Sequence, residues 1–165
     1  VESAPGEGTA FRIYFPQIEA PSGEDGGDEA EALAPAGDET VLLVEDEDTL
    51  RRLVARVLGG SGYSVLAAAD GRAALEALER HGKPVDLLIT DVVMPGMSGR
   101  ELARAVASKG MARRTLFVSG FTDNAIVSDG VLEPGLAFMF KPFTADALLR
   151  KAREVLDGPA DQARP

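Results

Sequence analysis

From Val41 onward, short apolar runs alternate with segments of helical periodicity, and this alternation constrains the fold more than any other feature of the sequence. The run Val41–Val44 is apolar throughout, as in a strand that is buried on both faces. The segment after it repeats leucine and valine at helical spacing between Leu50 and Leu58. Strand and helix patterns keep alternating to the end of the region, which predicts an α/β domain with a doubly wound parallel sheet.

The predicted elements are separated by glycine, proline and acidic residues. The predicted strands are 41–44, 63–67, 85–90, 115–118 and 136–140; the predicted helices are 48–58, a segment opening at 70–71, 98–109, 123–132, and a last helix from Thr144 or Asp146 to Asp157. Crossovers between parallel strands are right-handed, so the C-terminal ends of the strands are expected at one edge of the sheet. Ligands bind at this edge in folds of this kind.

Polar side chains follow four of the predicted strands. Glu45 and Asp46 come after the first strand, Asp91 after the third, Ser119 after the fourth and Lys141 after the fifth. Since the strand ends share one edge, we expect these residues to converge although they are far apart in sequence.

Three carboxylates in one place repel each other unless a cation lies among them. Ligands that are all oxygen select a hard ion, and Mg²⁺ combines one or two carboxylates with water and phosphate oxygens. Asp46 and Asp91 are predicted as direct ligands, Glu45 as a ligand through a metal-bound water, and the backbone carbonyl of Val93 as a further oxygen ligand.

An aspartate held by a metal ion and a lysine can act as a nucleophile toward phosphorus. Phosphoryl transfer requires mainly positioning and neutralisation of the phosphoryl oxygens. Lys141 is predicted to pair with Asp91 at rest and with a phosphoryl oxygen afterwards, and Ser119 is predicted to donate a hydrogen bond to that oxygen.

Four motifs of the chain resemble the receiver domain of two-component response regulators. They are Val41–Asp46, Asp91–Gly99, Val118–Gly120 and Lys141–Phe143, and the resemblance covers about residues 40–157. It implies a flavodoxin-like sheet with strand order 2-1-3-4-5 and five helices. It also implies that Asp91 is the phosphoacceptor, with self-catalysed phosphotransfer and dephosphorylation that require Mg²⁺.

The same resemblance assigns roles to individual residues. Ser119 falls on the switch hydroxyl and Phe138 on the switch aromatic position, while Lys141–Pro142 is implied to be a cis peptide. The stretch 110–114 is less typical of the family, so its shape is left open.

The N-terminal residues follow a different pattern. Alternating Phe11, Ile13 and Phe15 predict a strand over 9–15 whose partners lie outside this sequence, and 6–16 resembles the last strand of a histidine kinase ATP-binding domain. Residues 17–39 are rich in glycine, proline and acid, which predicts a flexible linker. The predicted organisation is a kinase remnant at 1–16, an acidic linker at 17–39, a receiver domain at 40–158 and a tail at 159–165. The first residue is Val1, so we expect a piece of a longer polypeptide.

These resemblances imply the receiver domain of a hybrid histidine kinase. The expected partners are a phosphohistidine of its own or a partner kinase and a histidine phosphotransfer protein. The expected location is the cytoplasm, whether or not the parent chain is anchored in a membrane. Whether such a fragment counts as an enzyme is left open, although the parent chain is expected to be a histidine protein kinase.

The charge distribution gives no sign of a nucleic-acid or membrane partner. The net charge is −10, but from Val41 onward there are 17 acidic and 16 basic side chains, so most of the excess lies in the linker. Arg51, Arg52 and Arg56 are expected to be an ordinary solvated helix face rather than a binding surface. The absence of cysteine excludes a thiolate metal site and a cysteine nucleophile.

Three other interpretations compete with this one. A haloacid-dehalogenase-like phosphatase requires a second aspartate two residues after the first, where this chain has Val93. A flavin-binding flavodoxin-like protein requires a phosphate-binding loop after the first strand, where the acidic residues 45–48 would repel phosphate. A degenerate receiver that serves only as a protein interaction module is the remaining alternative, which the intact acidic site disfavours.

Overall fold

The computed structural model describes residues 2–4, 8–10, 37–120 and 136–158. The chain divides into two units, Val1–Ala30 and Glu31–Pro165. In the first unit, β1 (Glu2–Ala4) pairs antiparallel with β2 (Gly8–Ala10), with Ser3 opposite Thr9. The expectation that the predicted strand 9–15 has no partner in this sequence is therefore wrong for Thr9 and Ala10. The pairing was missed because the segment 2–4 is too short to show a strand pattern, and residues 11–15 lie outside the described part.

The described part of the second unit contains one five-stranded parallel sheet. Its strands are β3 (Thr40–Val44), β4 (Ser64–Ala68), β5 (Leu87–Asp91), β6 (Thr115–Ser119) and β7 (Ala137–Phe140). The spatial order is β4-β3-β5-β6-β7, which is the predicted order 2-1-3-4-5. The predicted doubly wound parallel sheet is confirmed.

Four helices accompany the sheet within the described residues. They are α1 (Asp48–Gly60), α2 (Gly71–His81), α3 (Gly99–Ser108) and α4 (Ala145–Asp157). Side-chain caps fix the start of three of them, because Asp70, Ser98 and Thr144 each accept a hydrogen bond from a backbone N–H three residues later. The predicted helix over 123–132 lies outside the described residues. None of the described helices is long and apolar enough to be a candidate for crossing a membrane.

The sheet is buried on both faces. Val41, Leu43 and Ile89 pack in one cluster with side chains of α1 and α4. Leu42, Val44 and Leu88 pack in a second cluster with side chains of α2 and α3. Since successive strand residues point to opposite faces, the continuous apolar run of β3 supplies both clusters.

The region before β6 is ordered and extends the sheet. Val85, which the sequence placed in a strand, forms an isolated parallel bridge with Ala112 before β5 begins at Leu87. The Val85 N–H donates to the carbonyl of Met111 at 2.9 Å, and the Arg113 N–H donates to the carbonyl of Val85 at 3.1 Å. These bonds give the stretch 110–114 the shape that its sequence left open.

Residues 37–39, at the end of the predicted linker, form hydrogen bonds with the rest of the larger unit. The Gly37 N–H donates to the carbonyl of Ser61 at 3.0 Å, and the Ser64 N–H donates to the carbonyl of Glu39 at 3.0 Å. The carboxylate of Glu39 lies 2.7 Å from the guanidinium of Arg153 on α4. The hydrogen bond from Arg153 holds the pKa of Glu39 below its usual value, with burial acting in the opposite direction.

We expect Glu39→Gln to lower the free energy of unfolding by about 1 kcal/mol at neutral pH. A carboxyl with a depressed pKa adds stability above its unfolded pKa, and this stability is lost as the pH falls through the folded pKa. The difference from the wild type should therefore shrink below about pH 4.3, the ordinary pKa of a glutamate. Urea unfolding at several pH values measures this, with Asp157→Asn, whose 65% exposed carboxylate also contacts Arg153, as the control. If the free energies of unfolding of the wild type and Glu39→Gln differed equally at pH 7 and pH 3, the ion pair could not be the cause of the difference.

Candidate functional site

Three carboxylates meet at the C-terminal edge of the sheet. Glu45 and Asp46 follow β3, and Asp91 is the last residue of β5, the neighbouring strand. One carboxylate oxygen from each lies within 4.8 Å of the others. The predicted convergence of these residues is thus observed, and it follows from the parallel pairing of β3 with β5.

Lys141 bridges two of these carboxylates. Its Nζ lies 2.6 Å from Oδ2 of Asp91 and 2.7 Å from Oε2 of Glu45. The side chains of Glu45, Asp91 and Lys141 are only 6%, 10% and 23% exposed, so the contacts are well shielded from water. The Lys141–Pro142 peptide is cis, as the resemblance implies.

Burial and charge act against each other at this bridge. Burial raises the pKa of Glu45, although the hydrogen bond from Lys141 counteracts this effect. Burial by itself disfavours the charged form of Lys141, but the hydrogen bonds to Asp91 and Glu45 outweigh it and raise the pKa of the lysine. The lysine is therefore held as a cation between two buried acids.

The backbone around Asp91 is held by its neighbours. The Thr90 hydroxyl donates to the carbonyl of Asp91 at 3.0 Å, and the Val93 N–H donates to Oδ1 of Asp91 at 3.2 Å. Gly99 at the start of α3 lies so close that a methyl group there would overlap the Asp91 carbonyl oxygen. Neither Thr90 nor Gly99 could be given a functional role from the sequence, because a close backbone approach leaves no pattern in a single sequence.

We expect Gly99→Ala to destabilise the domain by about 1–3 kcal/mol, the usual cost of forcing an extra methyl group into a packed region. The overlap should also displace the Asp91 backbone relative to Glu45 and Asp46. Urea unfolding measures the first effect, and amide chemical shifts of residues 90–93 measure the second. Gly59→Ala, where an added methyl group meets no atom within 4 Å, is the matched control. Equal unfolding free energies for the two variants would contradict this account.

Ser119 and Phe138 lie on the two strands beyond β5. Ser119 is fully buried, its hydroxyl donates to the Gly120 carbonyl at 3.2 Å, and its own carbonyl accepts the Lys141 N–H at 2.8 Å. Phe138 pairs with Phe117 in the sheet, and their rings stack with centroids 5.2 Å apart. The assigned switch roles stay predictions.

Arg51 departs from the expectation that it belongs to a solvated helix face. Its side chain is only 17% exposed, whereas that of Arg52 is 78% exposed. Its Nη1 donates to the carbonyls of Glu45 at 2.8 Å and Asp46 at 3.3 Å. The expectation failed because the guanidinium reaches back over the first turn of α1, which helical periodicity does not reveal.

A comparison with known families matches residues 41–153 to the response regulator receiver domain. The chain belongs to the response regulator receiver family. The resemblance drawn from the four motifs is confirmed, and the match includes every residue of the carboxylate and lysine cluster.

Relatives of this receiver domain include a sensor kinase and a response regulator receiver protein. Sensor kinase CckA of Brucella abortus is 35% identical over 163 residues, which cover 94% of this chain and 17% of that protein. Response regulator receiver protein CpdR of the same organism is 33% identical over 116 residues, which cover 70% of this chain and 95% of CpdR. The crystal structure of the receiver domain from Hybrid Histidine Kinase CckA is 36% identical, with a TM-score of 0.58 over 71% of this chain and 98% of that one.

Proposed function

We propose that this receiver domain accepts a phosphoryl group on Asp91 from a phosphohistidine, in a reaction that requires Mg²⁺. The observation that carries the proposal is the cluster of Glu45, Asp46 and Asp91 with Lys141 at 2.6 Å from the acceptor carboxylate. A degenerate receiver would not need this arrangement, so the interaction-module alternative is not favoured.

The residues at this edge fit Mg²⁺ by the chemistry of their donor atoms. All three side chains offer carboxylate oxygens, and three negative charges against the single positive charge of Lys141 leave a formal charge of −2. Asp46 and Asp91 are the proposed direct ligands, with the Val93 carbonyl beside them and Glu45 acting through a water. When bound, Mg²⁺ would neutralise this charge and the oxygens of the incoming phosphoryl group.

The proposed reaction is a displacement at phosphorus. A carboxylate oxygen of Asp91 forms a bond to phosphorus while the bond from phosphorus to the imidazole nitrogen breaks, and the bonding electron pair stays on that nitrogen. Asp91 is poised for this because Lys141 and the Val93 N–H fix its carboxylate from two sides. After transfer, Lys141 keeps a negatively charged partner, since the phosphoryl group brings about −1.5 to −2 charges.

The response to phosphorylation is proposed to run through β6 and β7. Ser119 would turn its hydroxyl from the Gly120 carbonyl toward a phosphoryl oxygen, and Phe138 would leave its stack on Phe117 to fill the space. The surface of β7 and α4 would then repack. Such a change is a shift between two states, limited by their difference in affinity for the phosphoryl group.

The proposed setting is a hybrid histidine kinase whose receiver domain lies in the cytoplasm. A histidine phosphotransfer protein is proposed as a further partner of this receiver domain. The alignment with the sensor kinase CckA extends over 94% of this chain, so it reaches beyond the receiver domain. The chain spans only 17% of the length of CckA. We therefore propose, from this alignment, that the longer protein to which this chain belongs is a histidine kinase.

Incubation with acetyl phosphate tests the proposal. We expect intact-mass spectrometry to show the gain of one phosphoryl group in the presence of Mg²⁺ and none with an excess of a chelator. Uptake that is equal in both conditions, or absent in both even with a phosphorylated histidine kinase as donor, would contradict it.

A further inference from the structure

Arg51 fastens the loop that carries two of the three carboxylates. The loop joins β3 to α1, and Arg51 lies in the first turn of α1. Its guanidinium donates to the backbone carbonyls of both Glu45 and Asp46, and its Nη2 lies 2.5 Å from Oδ1 of Asp48. In the described part of the chain, Arg51 forms no hydrogen bond or ion pair with the carboxylate of Glu45 or Asp46, so it holds both residues through their backbones.

The loop is held at several points. The Glu45 N–H donates to the carbonyl of Ala68 on β4 at 3.2 Å, and the Glu45 carboxylate pairs with Lys141 at 2.7 Å. The guanidinium of Arg51 ties the backbone carbonyls of the loop to the helix. Three carboxylates against the one charge of Lys141 leave a net repulsion that acts to open the loop, and the bonds from Arg51 oppose this opening.

We infer that Arg51 is a positioning residue of the cation pocket: it holds the backbone of Glu45 and Asp46 so that their carboxylates face Asp91. This inference rests on the proposed function, because it assumes that the pocket binds Mg²⁺. It extends that function by naming a residue that supports the ligands from behind, through their carbonyl groups.

The charge of Arg51 and its geometry predict opposite results. A guanidinium near a divalent cation repels it, so removal of the charge alone would tighten Mg²⁺ binding. Loss of the bonds to the loop carbonyls would loosen it, because the ligands would have to be ordered when the ion binds. The sign of the change in affinity therefore separates the two roles.

The chain offers a matched control in Arg52. It lies next to Arg51 on the same helix and also contacts Asp48, at 2.9 Å, but its side chain is 78% exposed. Arg52→Met removes the same charge from the same helix end and leaves the hydrogen bonds of Arg51 to the loop intact. Arg51→Lys keeps the charge and loses the forked geometry of the guanidinium.

The experiment is calorimetric titration of Mg²⁺ into the wild type, Arg51→Met, Arg51→Lys and Arg52→Met, with urea unfolding of each without Mg²⁺. We expect the Kd for Mg²⁺ to rise about tenfold in Arg51→Met, the usual loss when a residue that supports metal ligands is removed. Arg51→Lys should lie between it and the wild type, and Arg52→Met should stay within about twofold of the wild type or bind more tightly. A merely structural role would lower the free energy of unfolding and leave the Kd of the folded protein unchanged.

Two outcomes overturn the inference in distinguishable ways. Wild-type protein that binds Mg²⁺, with Arg51→Met binding equally or more tightly, overturns the positioning role alone. Wild-type protein that binds no Mg²⁺ overturns the proposed function and this inference with it. If Arg51→Met does not fold, the Kd of Arg51→Lys for Mg²⁺ takes its place in the test. A Kd of Arg51→Lys that equals the wild-type value would then overturn the positioning role of Arg51.

Discussion

Replacing Asp91 with asparagine is expected to abolish phosphoryl uptake from acetyl phosphate in the presence of Mg²⁺. Asparagine has the same size, but Lys141 and the Val93 N–H bond to different oxygens of Asp91. The single amide oxygen of asparagine can accept from one of these two donors, so one bond persists and the other is lost. It lacks the negatively charged oxygen that attacks phosphorus, so no acyl phosphate can form. Intact-mass spectrometry should show no gain in the variant under conditions in which the wild type gains one phosphoryl group.

The same substitution should not unfold the protein. Asp91 is one of three carboxylates that repel each other. Burial is the main cause of the raised pKa of Glu45, and the charge of Asp91 adds to it. Removing this charge eases the repulsion and offsets the one lost hydrogen bond, so we expect the free energy of unfolding without Mg²⁺ to stay close to that of the wild type. Loss of uptake is therefore expected to reflect lost chemistry rather than lost structure.

Asp70→Asn is the matched control for Asp91→Asn. Asp70 also follows a strand of the sheet, but its carboxylate caps α2 by accepting the Ala73 N–H at 2.8 Å. Asparagine caps a helix about as well as aspartate, so this variant should fold and take up the phosphoryl group as the wild type does. Uptake that persists in Asp91→Asn, or that is lost equally in both variants, would contradict the assignment of Asp91.

Replacing Lys141 with methionine is expected to slow phosphoryl uptake by about a hundredfold to a thousandfold. Lys141 supplies the ammonium at 2.6 Å from Asp91, in a position to stabilise charge on the transferring phosphoryl group. The loss of one such charged donor from a shielded site typically has an effect of this size. The initial rate of mass gain with acetyl phosphate and saturating Mg²⁺ measures it.

Although Lys141→Met should take up the phosphoryl group more slowly, it should bind Mg²⁺ more tightly than the wild type does. Without the lysine, Glu45 and Asp91 lose the positive charge that pairs with them, so a divalent cation is attracted more strongly. In the absence of Mg²⁺ the unpaired carboxylates should lower the free energy of unfolding by about 1–3 kcal/mol. Added Mg²⁺ should restore much of this loss, since a ligand that binds only the folded state stabilises it.

Lys151→Met provides the comparison for Lys141→Met. Lys151 lies on α4, pairs with Glu154 at 2.8 Å, and is 26% exposed, close to the 23% of Lys141. We expect its uptake rate and Mg²⁺ affinity to match those of the wild type. Weaker Mg²⁺ binding in Lys141→Met, or uptake rates that are equal in the two variants, would contradict the role given to Lys141.

The sheet was predictable because each strand carries its own signal. Continuous apolar runs such as Val41–Val44 have few alternatives to a strand buried on both faces, and caps such as Ser98 mark where a helix begins. The short pair of β1 with β2 was not predictable, because three-residue strands carry too little pattern. The same is true of the bridge between Val85 and Ala112, which depends on the path of a loop.

The site was predictable as far as topology determines it. Glu45, Asp46, Asp91 and Lys141 each lie at or just after the C-terminal end of a parallel strand, so the order of strands alone brings them together. Support of the site by Arg51 could not be predicted in this way, because it depends on a rotamer that turns back over the helix. The contact of Gly99 with the Asp91 carbonyl likewise depends on the close approach of two backbone segments, which leaves no local sequence pattern.

Peptide mapping after borohydride trapping identifies the residue that accepts the phosphoryl group, which we propose to be Asp91 in a Mg²⁺-dependent site. Borohydride reduces an aspartyl phosphate to homoserine, which marks the modified position permanently. After incubation with acetyl phosphate and Mg²⁺, we expect homoserine at position 91 alone, and none when a chelator is present. Homoserine at another aspartate, or at position 91 in equal amount without Mg²⁺, would contradict the account.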